Sequence, residues 1–201
     1  MDNASANRSV EFFEAQFKRQ IASHSFDLNP FEEAILPFVQ GRVLDLGCGL
    51  GNLSVAAARK GSVVLAIDAS ASAIEVLNQH ACAENLAITA EKRDLASYEM
   101  AGQFDTVLCV GLLMFFAPDV ANAWLERICT ITSSNGIAAI NVLIAGTTYL
   151  DMFDKSSYTL FEENSLKQTF QDWQIVYSAT DEFAAPGGAV KRFCTIVARK
   201  I

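Results

Sequence analysis

Histidine and paired cysteine are scarce in this sequence of 201 residues. There are only two histidines, His24 and His80, and the five cysteines form no C-x-x-C pair. Protein sites for transition metals draw on such residues, so we expect no metal site. An odd number of cysteines, most of them inside apolar runs, is typical of reduced thiols in a cytosolic protein.

Long apolar runs are also missing. The longest runs end well short of the roughly 20 residues that cross a bilayer. The N-terminal residues MDNASANRSVEFFEAQFKRQ carry charges where a signal peptide has an apolar stretch. We therefore expect a soluble, cytoplasmic protein without a membrane partner.

Positive charge is in short supply. The chain has 15 lysines and arginines against 23 aspartates and glutamates, which gives a net charge of −8 and a pI near 4.7. A surface this acidic repels phosphate backbones, which disfavours a nucleic acid as the main substrate. Hydrophobic residues make up 51% of the chain, and at this length they predict one domain with a large core.

Strand and helix patterns alternate along most of the chain. Two helices are predicted within residues 1–40, the second beginning at Asn29-Pro30. The later predicted strands are residues 42–46, 63–67, 86–91, 105–110, 137–145, 174–179 and 192–198. The later predicted helices are residues 52–60, 71–83, 118–132 and 162–170. An Asn135-Gly136 turn is expected before the fifth strand, and a Pro186-Gly187-Gly188 turn before the last.

This order predicts an α/β fold with a doubly wound, Rossmann-like sheet of seven strands. The sheet is expected to be mostly parallel, with an antiparallel C-terminal strand because a short glycine turn precedes it. We expect a single domain over residues 1–201, in which residues 1–40 form a helical lid and residues 41–201 form the core. The oligomeric state is left open.

A glycine-rich loop follows the first predicted strand in the segment VLDLGCGLG, which ends at Gly51. Glycines let the backbone turn sharply into the next helix and let a ligand approach the main chain. The helix beginning near Asn52 directs its free N–H groups toward such a ligand. Asp68 ends the second strand, 17 residues beyond Gly51, near the place where a carboxylate binds ribose hydroxyls. The pattern indicates a nucleoside cofactor.

The details of this loop distinguish two cofactors. A dinucleotide fingerprint has the spacing G-x-G-x-x-G, whereas here the third glycine comes one residue early and Asn52 stands in its place. Asp45 puts a negative charge where a pyrophosphate is disfavoured and where an ammonium and a sulfonium are favoured. The charge therefore favours S-adenosylmethionine over NAD.

With these motifs the chain resembles the class I S-adenosylmethionine-dependent methyltransferases from about residue 40 to its end. The matching segments, in order, are DLGCGLG, VVLAIDAS, KRDLAS, FDTVLCVGLLMFF and SSNGIAAI. The resemblance implies a methyltransferase with S-adenosylmethionine as its cofactor.

The resemblance also implies roles for particular residues. The methionine part of the cofactor is expected at the glycine motif, formed by Asp45, Gly47, Cys48, Gly49 and Gly51. The ribose and the adenine are expected at two acidic residues and their neighbours, Asp68, Ala69, Asp94 and Leu95. The methyl-bearing sulfur is expected above the end of the fourth strand, at Cys109, Val110 and Gly111.

Several of these residues also have a purely structural interpretation. Asp68 can cap the helix that follows it, and Asp94 can make a local turn. Cys109 is suited to a small core position rather than to a nucleophile. The segment 114–116 can be ordinary core or a wall of the methyl-transfer pocket, and the sequence favours neither.

Within this class the chain is most similar to the small tellurite-resistance methyltransferases. The carrying segments are GLLMFF, YTLFEENSLKQTFQDWQIVYSATDE and KRFCTIVARK. That group has a His-Arg pair and a further arginine between the last two strands. Here the segment is DEFAAPGGAVK, which contains neither histidine nor arginine, and Arg192 matches only a neighbouring position. Chemistry on tellurite or selenite is therefore not expected.

We predict methyl transfer to a small-molecule acceptor, with a thiol or a chalcogen compound as candidates. The alternatives are a non-catalytic S-adenosylmethionine-binding protein and a nicotinamide-dependent oxidoreductase. No catalytic residue is assigned; candidate bases are His24, Asp151, Asp181 and Glu182.

The surroundings of the acceptor can also be predicted. Leu112 to Phe116 form an apolar wall, and residues 184–190 contain no charge. Arg192 is then the one cation available to an anionic acceptor, so we expect an uncharged or softly nucleophilic acceptor. The N-terminal helix, residues 147–159 and residues 186–191 are expected to act as lids.

Overall fold

Seven strands form one sheet in the computed structural model, which describes residues 8–23, 25–98, 100–154 and 157–201. In chain order they are β1 Arg42–Leu46, β2 Val63–Asp68, β3 Ile88–Lys92, β4 Phe104–Val110, β5 Thr132–Leu143, β6 Gln174–Ala184 and β7 Val190–Arg199. Their order in the sheet is β3-β2-β1-β4-β5-β7-β6. Only β7 among them runs antiparallel to its neighbours, β5 and β6. The predicted fold is confirmed.

Six α-helices connect or cover the strands in the described residues. They are α1 Arg8–Ala22, α2 Pro30–Ile35, α3 Asn52–Arg59, α4 Ala71–Ala83, α5 Pro118–Ile131 and α6 Ser165–Thr169. Residues of α5 such as Trp124 and Ile128 pack on one face of the sheet. Leu53 of α3 and Leu77 of α4 belong to the core on the other face. Helices therefore cover both faces, as a doubly wound sheet requires.

Local capping explains where two of these helices begin. The Asn29 side chain accepts hydrogen bonds from the N–H groups of Phe31 and Glu32, while the Glu32 carboxylate accepts one from the Asn29 N–H at 2.8 Å. This reciprocal capping box starts α2 at Pro30, as the sequence indicates. Ser70 caps α4 in the same sense by accepting a hydrogen bond from the Ala73 N–H.

The fifth strand differs from its prediction. It begins at Thr132, so the expected Asn135-Gly136 turn lies inside β5. Asn135 has a φ of 61°, and the pairing with β4 shifts register between Phe104 and Thr106. Asparagine tolerates this left-handed conformation, so the strand bulges and then continues. At the other end of the sheet, β6 extends to Ala184 because it pairs with β7 as far as Val190.

The sheet order creates a crevice where neighbouring strands lead to opposite faces. β1 and β4 lie side by side, and the helices that follow them, α3 and α5, pack on opposite faces. Ligands of such sheets bind beyond the carboxyl ends of the strands at this point. Within the described ranges, no helix is both long and apolar enough to cross a membrane.

Gly51 gives a direct test of this packing. Its φ is +78°, and a Cβ there would collide with the buried Leu77 side chain. We expect Gly51→Ala to destabilise the protein by about 1–2 kcal/mol from the backbone and by about 1–3 kcal/mol more from overpacking. Urea denaturation measures the change.

The matched control is Gly61→Ala. Gly61 also has a positive φ, +95°, but a Cβ there meets nothing within 4 Å. Only the backbone contribution is expected in this variant. Equal losses of stability in the two variants would show that the contact with Leu77 is unimportant.

Candidate functional site

A cavity of about 400 Å³ lies at the carboxyl ends of the strands. Nine of the predicted cofactor-binding residues line it: Gly47, Cys48, Gly49, Asp68, Ala69, Asp94, Leu95, Val110 and Gly111. These residues come from the ends of β1, β2 and β4 and from the loop after β3, which are far apart in the chain. The fold thus brings together most of the positions identified from the sequence.

Asp45, Gly51 and Cys109 are not among the described residues that line the cavity. Asp45 is 4% exposed and accepts a hydrogen bond of 2.6 Å from the Ser54 hydroxyl. It therefore joins β1 to α3 underneath the glycine loop. Cys109 is fully buried in the core beside it.

Asp68 anchors the glycine loop from the cavity side. Its two carboxylate oxygens accept hydrogen bonds from the Gly49 N–H at 2.9 Å and from the Ser70 N–H at 2.8 Å. A carboxylate has about four lone-pair positions, so these bonds do not exhaust its capacity to accept from a ligand. Asp94 makes the local turn by accepting a bond from the Ala96 N–H, and it is exposed at the edge of the cavity.

Three carboxyl groups around the glycine loop, Asp45, Asp68 and Glu32, have a raised pKa. Burial raises the pKa of Asp45 to about 7, although the hydrogen bond from Ser54 opposes this and the charges of Glu32 and Asp68 add to it. Burial also raises the pKa of Asp68 and of Glu32, and Glu32 lines the cavity. A site in which deprotonation is unfavourable for three groups favours a cationic ligand.

Helix α1 covers the cavity. Phe17 packs against the glycine loop so closely that a Cβ at Gly49 would lie 3.2 Å from its ring. The Glu14 carboxylate accepts hydrogen bonds from the Ser70 and Ser72 hydroxyls. The sequence predicted the helix but not this contact, because the two serines lie more than 50 positions further along the chain.

The apolar wall after β4 is both core and cavity lining. Met114 and Phe115 are almost fully buried, and both line the cavity. The Phe115 ring meets Phe13 of α1 edge to face at 5.0 Å. Leu113 points into the core on the other side, where it is fully buried. The two interpretations of this segment are therefore compatible.

Arg192 is not the cation of the cavity, and that expectation is wrong. Its guanidinium donates to the Ala145 carbonyl and lies 3.6 Å from both Glu163 and Glu182. Lys191 lines the cavity instead, as does Arg93, and the Lys191 ammonium lies 4.7 Å from the centre of the Tyr149 ring. Burial lowers the pKa of Lys191. Neighbouring residues of a strand point to opposite faces, so Lys191 and Arg192 lie on opposite faces of β7.

Three of the four candidate bases are not brought into the site. Asp151, Asp181 and Glu182 do not line the described part of the cavity, and His24 lies outside the described residues. Glu32 was not among the predicted site residues, because in the sequence it is only an acidic residue near the start of a helix. Asn141, a buried amide of β5 that lines the cavity, was not among them either.

The sheet order, the glycine loop followed by a helix, and the acidic residue that ends β2 together define the class I methyltransferase fold. Comparison with protein families is more specific. The model of the tellurite resistance protein TehB matches residues 8–183. The chain belongs to this family, which confirms the resemblance drawn from its sequence.

Two proteins illustrate the likeness. A probable S-adenosyl-L-methionine-dependent methyltransferase TehB from Haemophilus influenzae is 27% identical over 169 residues, which cover 79% of this chain and 57% of the relative. The chain thus spans little more than half the length of that protein. The crystal structure of TehB from Haemophilus influenzae has a TM-score of 0.76 at 20% identity and covers 96% of this chain and 67% of that chain.

The second protein is the N-methyltransferase NodS from Bradyrhizobium japonicum, whose crystal structure is in complex with S-adenosyl-L-homocysteine. It has a TM-score of 0.72 at 13% identity and covers 96% of this chain and 99% of that chain. At such identities the structural likeness shows a common fold. The enzyme class and the cofactor predicted from the sequence are those that the descriptions of these relatives name.

The buried Asp45 predicts how stability depends on pH. Because its folded pKa of about 7 lies above the unfolded value near 3.9, the folded state keeps the proton longer. The free energy of unfolding should therefore fall as the pH rises from about 4 to about 7, by up to about 1.4 kcal/mol per pH unit.

Asp45→Asn tests this effect because the amide oxygen can still accept from Ser54. The variant should show a flatter dependence of the melting temperature on pH than the wild type. The control is Asp94→Asn, which changes an exposed carboxyl at the edge of the same cavity. Parallel curves for wild type and Asp45→Asn would contradict the burial of an ionisable group there.

Proposed function

We propose that this chain binds S-adenosylmethionine in the cavity and transfers its methyl group to a small-molecule acceptor. The observation that carries the proposal is one cavity that joins a glycine loop and two carboxyl groups of raised pKa, Asp68 and Glu32, to an apolar wall, with the buried Asp45 beneath the loop. The acidic end suits a ligand with an ammonium and a sulfonium, and the apolar end suits methyl transfer away from water.

Each part of the cofactor has candidate residues. The methionine part would lie against the backbone of residues 47–49, and Asp68 would accept hydrogen bonds from the ribose hydroxyls. Asp94 and Leu95 would hold the adenine at the exposed edge. The segment Val110–Gly111 would pass beneath the sulfur. Asp45, beneath the loop, would favour the cationic cofactor through its charge. Gly51 would contribute by allowing the loop its conformation.

The methyl group of a sulfonium is already activated, so the chain has mainly to position the acceptor in line and exclude water. We propose that α1 is part of a lid formed by residues 1–40 over a core formed by residues 41–201, within one domain. The contacts of Glu14 and Phe17 with the cofactor side support this role.

The acceptor is proposed to be small because it shares about 400 Å³ with the cofactor. A thiol or a reduced chalcogen compound is compatible with the site, since a soft nucleophile needs no base. An uncharged acceptor suits the wall formed by Met114 and Phe115, while Lys191 can pair with an acidic group at the outer end. A nucleic acid is disfavoured by the net charge of −8.

A methyl-acceptor screen tests the function. It measures formation of S-adenosylhomocysteine with small thiols, amines, phenols, selenite and tellurite, and we expect turnover with at least one organic acceptor. Thermal stabilisation by S-adenosylmethionine without any turnover would favour a non-catalytic binding protein. Stabilisation by NADH instead of S-adenosylmethionine would favour a nicotinamide-dependent oxidoreductase.

A further prediction concerns cofactor affinity. S-adenosylhomocysteine at one hundred times its dissociation constant should stabilise the protein by about 2.7 kcal/mol, without added metal. Asp68→Ala should weaken binding about tenfold to a hundredfold, because charge-assisted hydrogen bonds to the ribose are lost. Asp94→Ala should have a smaller effect, since Asp94 is exposed.

Isothermal titration calorimetry measures these affinities, and the melting temperature of each unliganded variant shows whether the loop is still folded. This control is needed because Asp68 also binds Gly49 and Ser70. An affinity of Asp68→Ala within twofold of the wild type would place the ribose elsewhere.

A further inference from the structure

Asn141 has a buried oxygen without a hydrogen-bond donor. The residue is 1% exposed and lines the cavity. Its Nδ2 donates to the Thr195 hydroxyl at 2.9 Å, but no described residue donates to its Oδ1. Buried amide oxygens are almost always paired, because an unpaired one has lost its water without compensation. An unpaired atom at the wall of a cavity indicates that a ligand supplies the donor.

The position of Asn141 identifies which ligand this is. Asn141 of β5 is paired in register with Val110 of β4, and its carbonyl accepts a hydrogen bond from the Gly111 N–H at 2.9 Å. Val110–Gly111 is the segment proposed to lie beneath the sulfur, and adjacent strands are about 4.8 Å apart. Asn141 is therefore one strand away from the methyl group, on the side of the acceptor wall.

Thr195 determines which end of the amide is available. It is 1% exposed, and Asn141 and Thr195 are directly opposite each other on β5 and β7. The hydrogen bond between them occupies the amide nitrogen, which leaves the oxygen for the ligand. Thr195 is thus a positioning residue for Asn141.

The other residues of the cavity wall indicate what kind of molecule the acceptor is. Phe115 and Phe193 both line the cavity, and Phe193 is two residues from Thr195 on the same face of β7. Aromatic rings pack well against aromatic side chains in offset or edge-to-face geometry.

We propose that Asn141 Oδ1 binds and orients the methyl acceptor, and that the acceptor is a small aromatic molecule whose reacting atom carries O–H or N–H. This rests on the proposed function and narrows it. A thiol is only a weak donor, so it would leave Oδ1 poorly paired. The hydrogen bond holds the reacting atom so that its lone pair faces the methyl group.

Methyl transfer to this acceptor needs only the acceptor, the sulfonium cofactor and water. The lone pair of the acceptor oxygen or nitrogen forms the new bond to the methyl carbon while the sulfur–methyl bond breaks. The electron pair of that bond stays on sulfur, which leaves S-adenosylhomocysteine. The proton that the acceptor shared with Oδ1 is released to water at the mouth of the cavity, and Asn141 is unchanged.

Three probes that differ only in the reacting atom test the proposal: para-cresol, para-toluidine and para-thiocresol. Binding is measured by ligand-observed NMR with the protein saturated with S-adenosylhomocysteine, and turnover is measured with S-adenosylmethionine. The wild type should bind the phenol and the amine more tightly than the thiol and should methylate at least one of the two. Asn141→Leu, which keeps the size, should weaken binding of the phenol and the amine about tenfold and leave the thiol unchanged.

Thr195→Val gives a second test that keeps Asn141 in place. It frees the amide to rotate, so we expect a smaller loss with the phenol and the amine and again no change with the thiol. The matched control is Thr106→Val, because Thr106 is also a buried, hydrogen-bonded threonine of the sheet but bonds to Gln40 far from the cavity. This control should behave as the wild type.

The possible failures are distinguishable. If S-adenosylhomocysteine does not bind the wild type, the proposed function fails. If it binds but the three probes are treated alike, or none of them binds, the role of Asn141 is wrong. Unchanged selectivity in Asn141→Leu would also overturn it, and where that variant does not fold, unchanged selectivity in Thr195→Val decides against the proposal.

Discussion

Ionisable carboxyl groups buried around a glycine loop are the constraint on which the rest of this site depends. Asp45 lies under the loop, Asp68 accepts a hydrogen bond from the Gly49 N–H of the loop, and Glu32 lines the cavity from α2. Burial raises the pKa of all three. A parallel sheet can place such groups together because the carboxyl ends of its strands meet at one edge. Without a ligand, ionising these buried carboxyl groups is unfavourable, and a bound cationic ligand would make it favourable.

The alternation of side chains along the strands organises the other end of the cavity. In β7, Lys191 and Phe193 face the cavity, whereas Arg192 faces the opposite side and approaches two glutamates. Asn141 and Thr195 lie opposite each other on the cavity face of β5 and β7. A single antiparallel strand thus provides an aromatic wall, a cation and the group that orients the amide.

Much of the fold could be predicted from the sequence because its signals are local. The alternating pattern gave β1 and α4 with their observed ends, and the glycine loop and Asp68 are marked by residue type and spacing. The sequence could not show that Lys191 rather than Arg192 lines the cavity, because the face that each β7 side chain takes depends on the register of β7 with β5. The proposed role of Asn141 depends on its hydrogen bond to Thr195, which is 54 residues away and so leaves no local signal in the sequence. The extent of β5 depends on a bulge that no local pattern distinguishes from a turn.

The most direct test of the account is a crystal structure of the complex with S-adenosylhomocysteine. The account predicts the ribose hydroxyls within hydrogen-bond distance of Asp68, the amino-acid part against residues 47–49, and the sulfur above Val110–Gly111, facing Asn141. A ligand bound elsewhere, or one whose ribose does not reach Asp68, would contradict the central claim that these carboxyl groups form a cofactor site.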